Sequence, residues 1–126
     1  MATRSHIGKL LSDGSVKYIY CHFDGYPEGN GKILKEHYTT EVKVDALLEL
    51  GDLSILGEEI GEKQDFDNRD THNSKWCLAY GRDRGENDID AKTSPTISDM
   101  IWQDYHYIWN GVSWSCFGSN GRELVF

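Results

Sequence analysis

Residues 16–23 constrain the fold more than any other part of the chain, because as a β-strand this stretch is apolar on both faces. Successive side chains of a strand point to opposite faces. One face carries Val16, Tyr18, Tyr20 and His22, and the other carries Ile19, Cys21 and Phe23 beside Lys17. A strand of this kind has to be covered on both faces, as strands in the middle of a sheet are. We therefore predict a central core strand here.

Two hairpin signals stand near the ends of the chain. Residues 4–11 and 15–23 are strand-like and are joined by a short loop that ends in Gly14. Near the other end, an Asn-Gly pair at 110–111 separates Tyr105–Trp109 from residues 112–117 and is typical of a type I′ turn. The stretch "KWCLAY" indicates a further short strand, and "RELVF" is an optional edge strand. The pattern predicts about five strands.

Helical patterns follow the first hairpin. Residues 33–38 repeat apolar side chains at helical spacing. A second helix follows, with Thr39 or Thr40 as its cap, Gly51 at its end, and an inner stripe of Val44, Leu47 and Leu48. Both helices are long enough to pack on one face of a sheet.

The remaining segments complete the predicted fold. Residues 52–74 are interpreted as a long loop with one helical turn near Leu56, and 81–94 as a second loop. A short helix is predicted from Ser94 onward, with Pro95 in its first turn. We predict a single α+β domain: an antiparallel sheet of about five strands, with N-terminal and C-terminal hairpins and two or three helices packed on it.

Charge and cysteine content limit the classes of partner. The formal net charge is −8, and residues 41–90 carry all of it, with 14 acidic and 6 basic side chains against 7 and 7 elsewhere. Such a field disfavours direct nucleic-acid binding and favours basic partners or plain solubility. The three cysteines are odd in number and form no CxxC pair, which indicates reduced thiols in the cytoplasm. We expect neither a signal peptide nor a membrane span.

The stretch "YCHFDGYPEGNG", residues 20–31, is the first candidate site. It leaves a strand and leads into a helix, and its glycines could present backbone N–H groups to an anion such as phosphate. Tyr26, Gly29 and Gly31 are its candidate ligand-binding residues. It matches neither of the known phosphate-loop patterns, and the alternative is that Asp24 and the glycines serve only to make turns.

The stretch "AYGRDRGEND" is the second candidate. Arg82 and Arg84 are close together in an acidic half of the chain, and two guanidinium groups can clamp a phosphate or a carboxylate. Glu86 completes this set of candidate ligand-binding residues. The alternative is that these side chains form exposed salt bridges with one another, which contribute little.

Catalytic candidates are weaker. His22, Asp24 and His37 could form a metal site or a carboxylate–histidine base, although their spacing matches no recognised motif. Cys21 has no neighbour in sequence that would lower the pKa of its thiol. The stretch "DFDNRDTH" lacks the order of a calcium loop. We therefore predict no metal and no cofactor, and no reaction can be named.

Four stretches carry a resemblance to a known group of proteins: "MATRSHIG", "DGSVKYIYCHFDGYPEGNGKILKEHY", "LLELGDLSILG" and "YGRDRGE", with the aromatic "YHYIWNGVSW" near the end. The chain resembles a family of small uncharacterised proteins of tailed bacteriophages and prophages. The resemblance implies a viral origin and action in the host cytoplasm. It transfers no catalytic residue.

Three functions stay open from the sequence. The leading hypothesis is a phage accessory protein that counters host defence, either by binding a host protein or by sequestering a nucleotide-like ligand between loop 20–31 and the loop of Arg82 and Arg84. In the latter case Tyr26 would stack on a base. The alternatives are a small metal-dependent hydrolase or nuclease, with Glu86 joining the histidines, and a virion or structural accessory protein. A homo-oligomer is compatible with each.

Overall fold

The first hairpin forms as the alternation of side chains predicts. The computed structural model describes residues 3–100 and 103–126. Strands β1 (Ser5–Leu10) and β2 (Val16–Cys21) pair antiparallel, and Gly14 between them adopts a φ of +89°. Only glycine takes that conformation without strain, which explains its place in the turn.

Two helices lead from β2 back to the sheet. A π-helical turn (Pro27–Gly31) runs into α1 (Lys32–His37), and α2 (Glu41–Leu50) follows. The Thr40 side chain accepts a hydrogen bond from the Lys43 amide, so it is the cap, and Gly51 ends the helix. The chain then enters β3 (Leu53–Ile55), which runs parallel to β2. Helices between two parallel strands are the usual form of such a crossover.

The second half adds short elements and the C-terminal hairpin. Among the described residues these are β4 (Leu78–Ala79), α3 (Tyr80–Arg84), β5 (Lys92–Ser94), β6 (Tyr105–Trp109), β7 (Trp114–Gly118) and β8 (Glu123–Leu124), with 3₁₀ turns at Arg69–Thr71 and Ser98–Met100. The sheet order is β4-β3-β2-β1-β6-β7-β8. Strand β5 lies beside the first half of β2, on the same edge as β3.

The α+β class is confirmed, but the predicted sheet is wrong in size and direction. The described residues form an eight-stranded mixed sheet, in which β1 pairs parallel with β6 and β2 pairs parallel with β3. Strands β3, β4, β5 and β8 have only two or three residues. The predicted strands "KWCLAY" and "RELVF" contain β4 and β8, whereas β3 and β5 lie in segments predicted as loops, because runs of three residues show no alternation that a sequence pattern could detect.

Several local predictions also need correction. Residues 52–74 begin with β3 rather than a helical turn, and residues 81–94 contain most of α3 and all of β5. The short helix predicted after Ser94 is a 3₁₀ turn, and its predicted end falls partly outside the described residues. The C-terminal loop is not a two-residue type I′ turn, because only Gly111 has a positive φ and the Asn110 amide bonds to the Ser113 carbonyl.

Strand β2 is central, as its two apolar faces predict. The main core lies between the sheet and α1 and α2, and there Ile19 and Cys21 are fully buried. A smaller core on the opposite face joins Val16 to Met100 and Ile108. Within residues 3–100 and 103–126, no helix has the length and hydrophobicity required to cross a membrane.

Candidate functional site

Loop 20–31 begins at the shared carboxyl end of two parallel strands. After β2 ends, the His22 and Phe23 amides continue the pairing and donate to the carbonyls of Leu53 and Ser54 at 3.0 and 3.1 Å. Asp24 then turns the chain with a φ of +59°, which is rare for a residue other than glycine. In sheets with parallel strands, ligands bind in the crevice outside these carboxyl ends.

The glycines of this loop shape its own turn. The Gly29 amide donates to the Tyr26 carbonyl at 2.9 Å, and the Asn30 amide donates to the Asp24 carbonyl at 2.8 Å. A Cβ atom on Gly29 would lie 2.5 Å from the Asp24 carbonyl oxygen, so a larger residue would push the turn apart. On Gly31 it would lie 3.1 Å from the Tyr107 ring. The amides of residues 29 and 30 are therefore committed to the loop rather than offered to an anion.

A cavity of about 440 Å³ opens beside this loop, at the ends of β2 and β3. We call it the strand-end cavity. Its size falls within the range of roughly 300–1,000 Å³ that is typical of small-molecule sites. Its walls combine aromatic and aliphatic side chains with a few polar groups, and its lining residues are Phe23, Asp24, Ser54, Ile55, Phe66, Asp67, Arg69, His72 and Leu78.

Four of these side chains come from one segment, residues 64–73, which we call the cavity loop. Gln64 holds its base: the Gln64 side chain accepts from the Asn73 amide at 2.7 Å and donates to the Cys77 carbonyl at 3.3 Å. His72 closes the loop by donating from Nε2 to the Asp65 carbonyl at 2.7 Å. Phe66 anchors it to the body, with its ring centroid 5.5 Å from that of Tyr80. Hydrogen bonds therefore hold the two ends of the cavity loop together, and four of its side chains line the cavity.

Arg82, a predicted ligand-binding residue, is engaged inside the protein. Its Nε and Nη2 atoms bind the two carboxylate oxygens of Asp83 at 3.0 and 3.2 Å. Its Nη1 and Nη2 atoms also donate to the Ile60 and Cys77 carbonyls at 2.8 and 2.7 Å. The Asp83 side chain is fully buried and accepts further bonds from the Gln64 and Ala79 amides. Arg82 therefore ties α3 to Ile60 and to Cys77, the residue before β4, and its guanidinium is used in contacts within the protein.

Arg84 and Glu86 lie on the surface and touch the cavity only indirectly. Their side chains pair at 3.5 Å and are both about half exposed. The Arg84 guanidinium also stacks over the Phe66 ring, at 5.2 Å from its centroid. Because Phe66 lines the cavity, the second predicted loop reaches the site through this ring alone.

The structure does not assemble the predicted catalytic group. His22 Nδ1 lies 2.6 Å from the Tyr20 hydroxyl, whereas His37 Nε2 lies 3.6 Å from Glu58. Asp24 accepts a bond from the Tyr26 hydroxyl at 3.3 Å. Nowhere in the described part of the chain do three or more histidine, cysteine or acidic side chains form a group that could hold a metal ion.

The thiols are equally unsuited to nucleophilic chemistry. All three cysteines are buried and unpaired with one another. Burial raises the pKa of Cys21 to about 12 and that of Cys116 to about 11, and it also raises the pKa of Cys77. A thiol with so high a pKa holds almost no thiolate at neutral pH, and the thiolate is the reactive form.

Sequence reasoning named Asp24 but missed the other residues that line the cavity. Phe66, Arg69 and His72 lie in the stretch that was compared with a calcium loop and set aside. The available signal was the length of this polar segment, since long loops in small domains are commonly functional, together with one aromatic residue inside it. Comparisons of the chain with protein-family models, with curated proteins and with solved structures found no match.

Proposed function

We propose that the protein binds a small nucleotide-like ligand in the strand-end cavity and acts by sequestering it. The observation that carries this proposal is the cavity itself, which combines aromatic walls from two separate segments with the guanidinium of Arg69. Its place beyond the carboxyl ends of β2 and β3 is the place where parallel strands commonly present ligands.

The lining suits the two parts of a nucleotide. Phe23 and Phe66 offer aromatic surface on which a base can stack. Arg69 offers a guanidinium for the phosphate, and within the described residues no carboxylate lies within 4 Å of it. Arg69 thus takes the role that the sequence suggested for Arg82 and Arg84.

The resemblance to phage and prophage proteins supports a biological setting for this binding. A phage protein that removes a nucleotide signal from the host cytoplasm would counter a defence system without catalysing a reaction. The buried, high-pKa thiols and the separated histidines agree with binding rather than catalysis. The hydrolase or nuclease alternative needs His22 and His37 in one site, and their partners are different.

Binding of a host protein through the acidic segment is supported less. Six acidic side chains of residues 41–90 lie within 4 Å of a lysine, arginine or histidine nitrogen of the chain itself: Glu41, Asp45, Asp52, Glu58, Asp83 and Glu86. Basic side chains of the chain itself therefore already offset part of their negative charge. By contrast, no carboxylate of the described residues lies within 4 Å of Arg69 in the cavity.

Calorimetric titration with AMP, GMP, CMP and UMP tests the proposal. We expect Arg69→Gln to weaken binding at least about tenfold, because a charge-assisted hydrogen bond typically contributes about 1.5–3 kcal/mol. Phe23→Ala should weaken it by roughly five- to a hundredfold through lost stacking. Arg122→Gln is the matched control, since Arg122 is exposed and does not line the cavity. Equal affinities of the two arginine variants would contradict the proposal.

A further inference from the structure

The strand-end cavity carries more negative than positive charge. Its charged lining residues are two aspartates, Asp24 and Asp67, and one arginine, Arg69. In the described part of the chain, neither aspartate has a basic side chain within 4 Å. Asp24 accepts a bond from the Tyr26 hydroxyl, which leaves its charge in place. The electrostatic field of the cavity therefore disfavours ligands with a large negative charge.

We infer that Asp24 and Asp67 restrict the cavity to nucleotides with a single phosphate. This inference rests on the proposed function. One guanidinium can pair with one phosphate group, whereas a second or third phosphate meets two carboxylates and a chain with a net charge of −8. Like charges separated by less than the Debye length of about 8 Å repel one another even at physiological salt. Each added phosphate is therefore disfavoured.

Asp67 is the better of the two residues for a test. Its side chain is exposed, and its backbone amide, not its carboxylate, makes the contact to Asp65. Asp67→Asn removes the charge and keeps the shape. Asp70→Asn is a matched control, because Asp70 is exposed on the same loop and does not line the cavity.

The experiment is calorimetric titration of AMP, ADP and ATP at about 150 mM salt, with EDTA and separately with Mg²⁺. We expect affinity to fall about tenfold with each added phosphate. Asp67→Asn should raise the affinity for ADP and ATP several-fold more than that for AMP, and Asp70→Asn should leave the ranking unchanged.

The outcomes separate the two proposals. ATP binding as tight as AMP binding in EDTA would overturn the single-phosphate inference and leave nucleotide binding standing. Mg²⁺ should narrow the difference, because the cation offsets part of the added phosphate charge. Equal effects of Asp67→Asn and Asp70→Asn would also overturn it, since the charge would then act from anywhere on the loop. If AMP, GMP, CMP and UMP and their di- and triphosphates all fail to bind, the proposed function and this inference both fail.

Discussion

Arg82 and Arg84 are two residues apart in sequence and lie in opposite surroundings. Arg82 binds a fully buried carboxylate and two carbonyls, whereas Arg84 pairs with Glu86 at the surface. Because α3 turns the chain between them, one guanidinium points inward and the other outward. The two arginines therefore differ in what they contribute to stability.

Removing the buried carboxylate should destabilise the fold. Asp83→Asn leaves a mostly buried arginine without its counter-charge, and breaking a buried pair in this way typically costs about 3–5 kcal/mol. Glu86→Gln breaks the exposed pair and should cost less than about 1 kcal/mol. Urea unfolding followed by tryptophan fluorescence measures both. Similar losses in the two variants would show that the Asp83 network is not a main support of the fold.

At the scale of elements, the cavity loop is held by one side chain at its base. Gln64 bonds to both the Asn73 amide and the Cys77 carbonyl, and the His72–Asp65 bond closes the loop just inside this base. The Phe66 ring is the anchor farther along. A loop fixed at two points can loosen without global unfolding, because local opening breaks few contacts.

Gln64→Ala should increase hydrogen exchange of the amides in residues 65–72 by about tenfold or more, since one buried and one partly buried hydrogen bond of roughly 1 kcal/mol each are lost. Exchange in the β1–β2 hairpin should stay unchanged. Lys63→Ala is the control, because Lys63 is the exposed neighbour of Gln64. Unchanged exchange in the loop of the Gln64 variant would mean that Phe66 alone holds it in place.

At the scale of the whole molecule, two histidines are buried on the sheet face opposite α1 and α2. His6 donates from Nδ1 to the Met100 carbonyl, and its ring centroid lies 5.3 Å from that of His106. Burial, together with nearby His106 and Lys92, lowers the pKa of His6 from 6.5 to about 4. Burial also lowers the pKa of His106. Both rings therefore remain neutral in the folded protein at neutral pH.

This burial makes stability depend on pH. Below pH 6.5 the unfolded chain binds a proton at His6 that the folded protein does not, so the free energy of unfolding falls as the pH falls towards 4. We expect a loss of about 2 kcal/mol by pH 5. His6→Gln should remove that loss and leave the contribution of the carboxylates. Urea unfolding at pH 7, 6 and 5 compares the two proteins, and parallel profiles would rule out His6 as the cause.

The sequence by itself determined the elements whose signals are local. The alternation in residues 16–23 predicted the central strand. Thr40 and Gly51 indicated the ends of α2, and the Asn-Gly pair indicated the position of the last hairpin. It also directed attention to loop 20–31, which contributes Phe23 and Asp24 to the cavity. These signals come from alternation, caps and turns, and each depends on a few neighbouring residues.

The sheet and the site depend on contacts between distant parts of the chain. Strands β3 and β5 form because distant backbone groups find partners in a sheet, and three residues carry no periodicity of their own. Arg82 and Arg84 look alike in the sequence, and the burial of Asp83 alone separates their roles. Phe66 and Arg69 line the same cavity as Phe23 although they are about 40 residues away in sequence, and no local pattern indicates that these two segments meet.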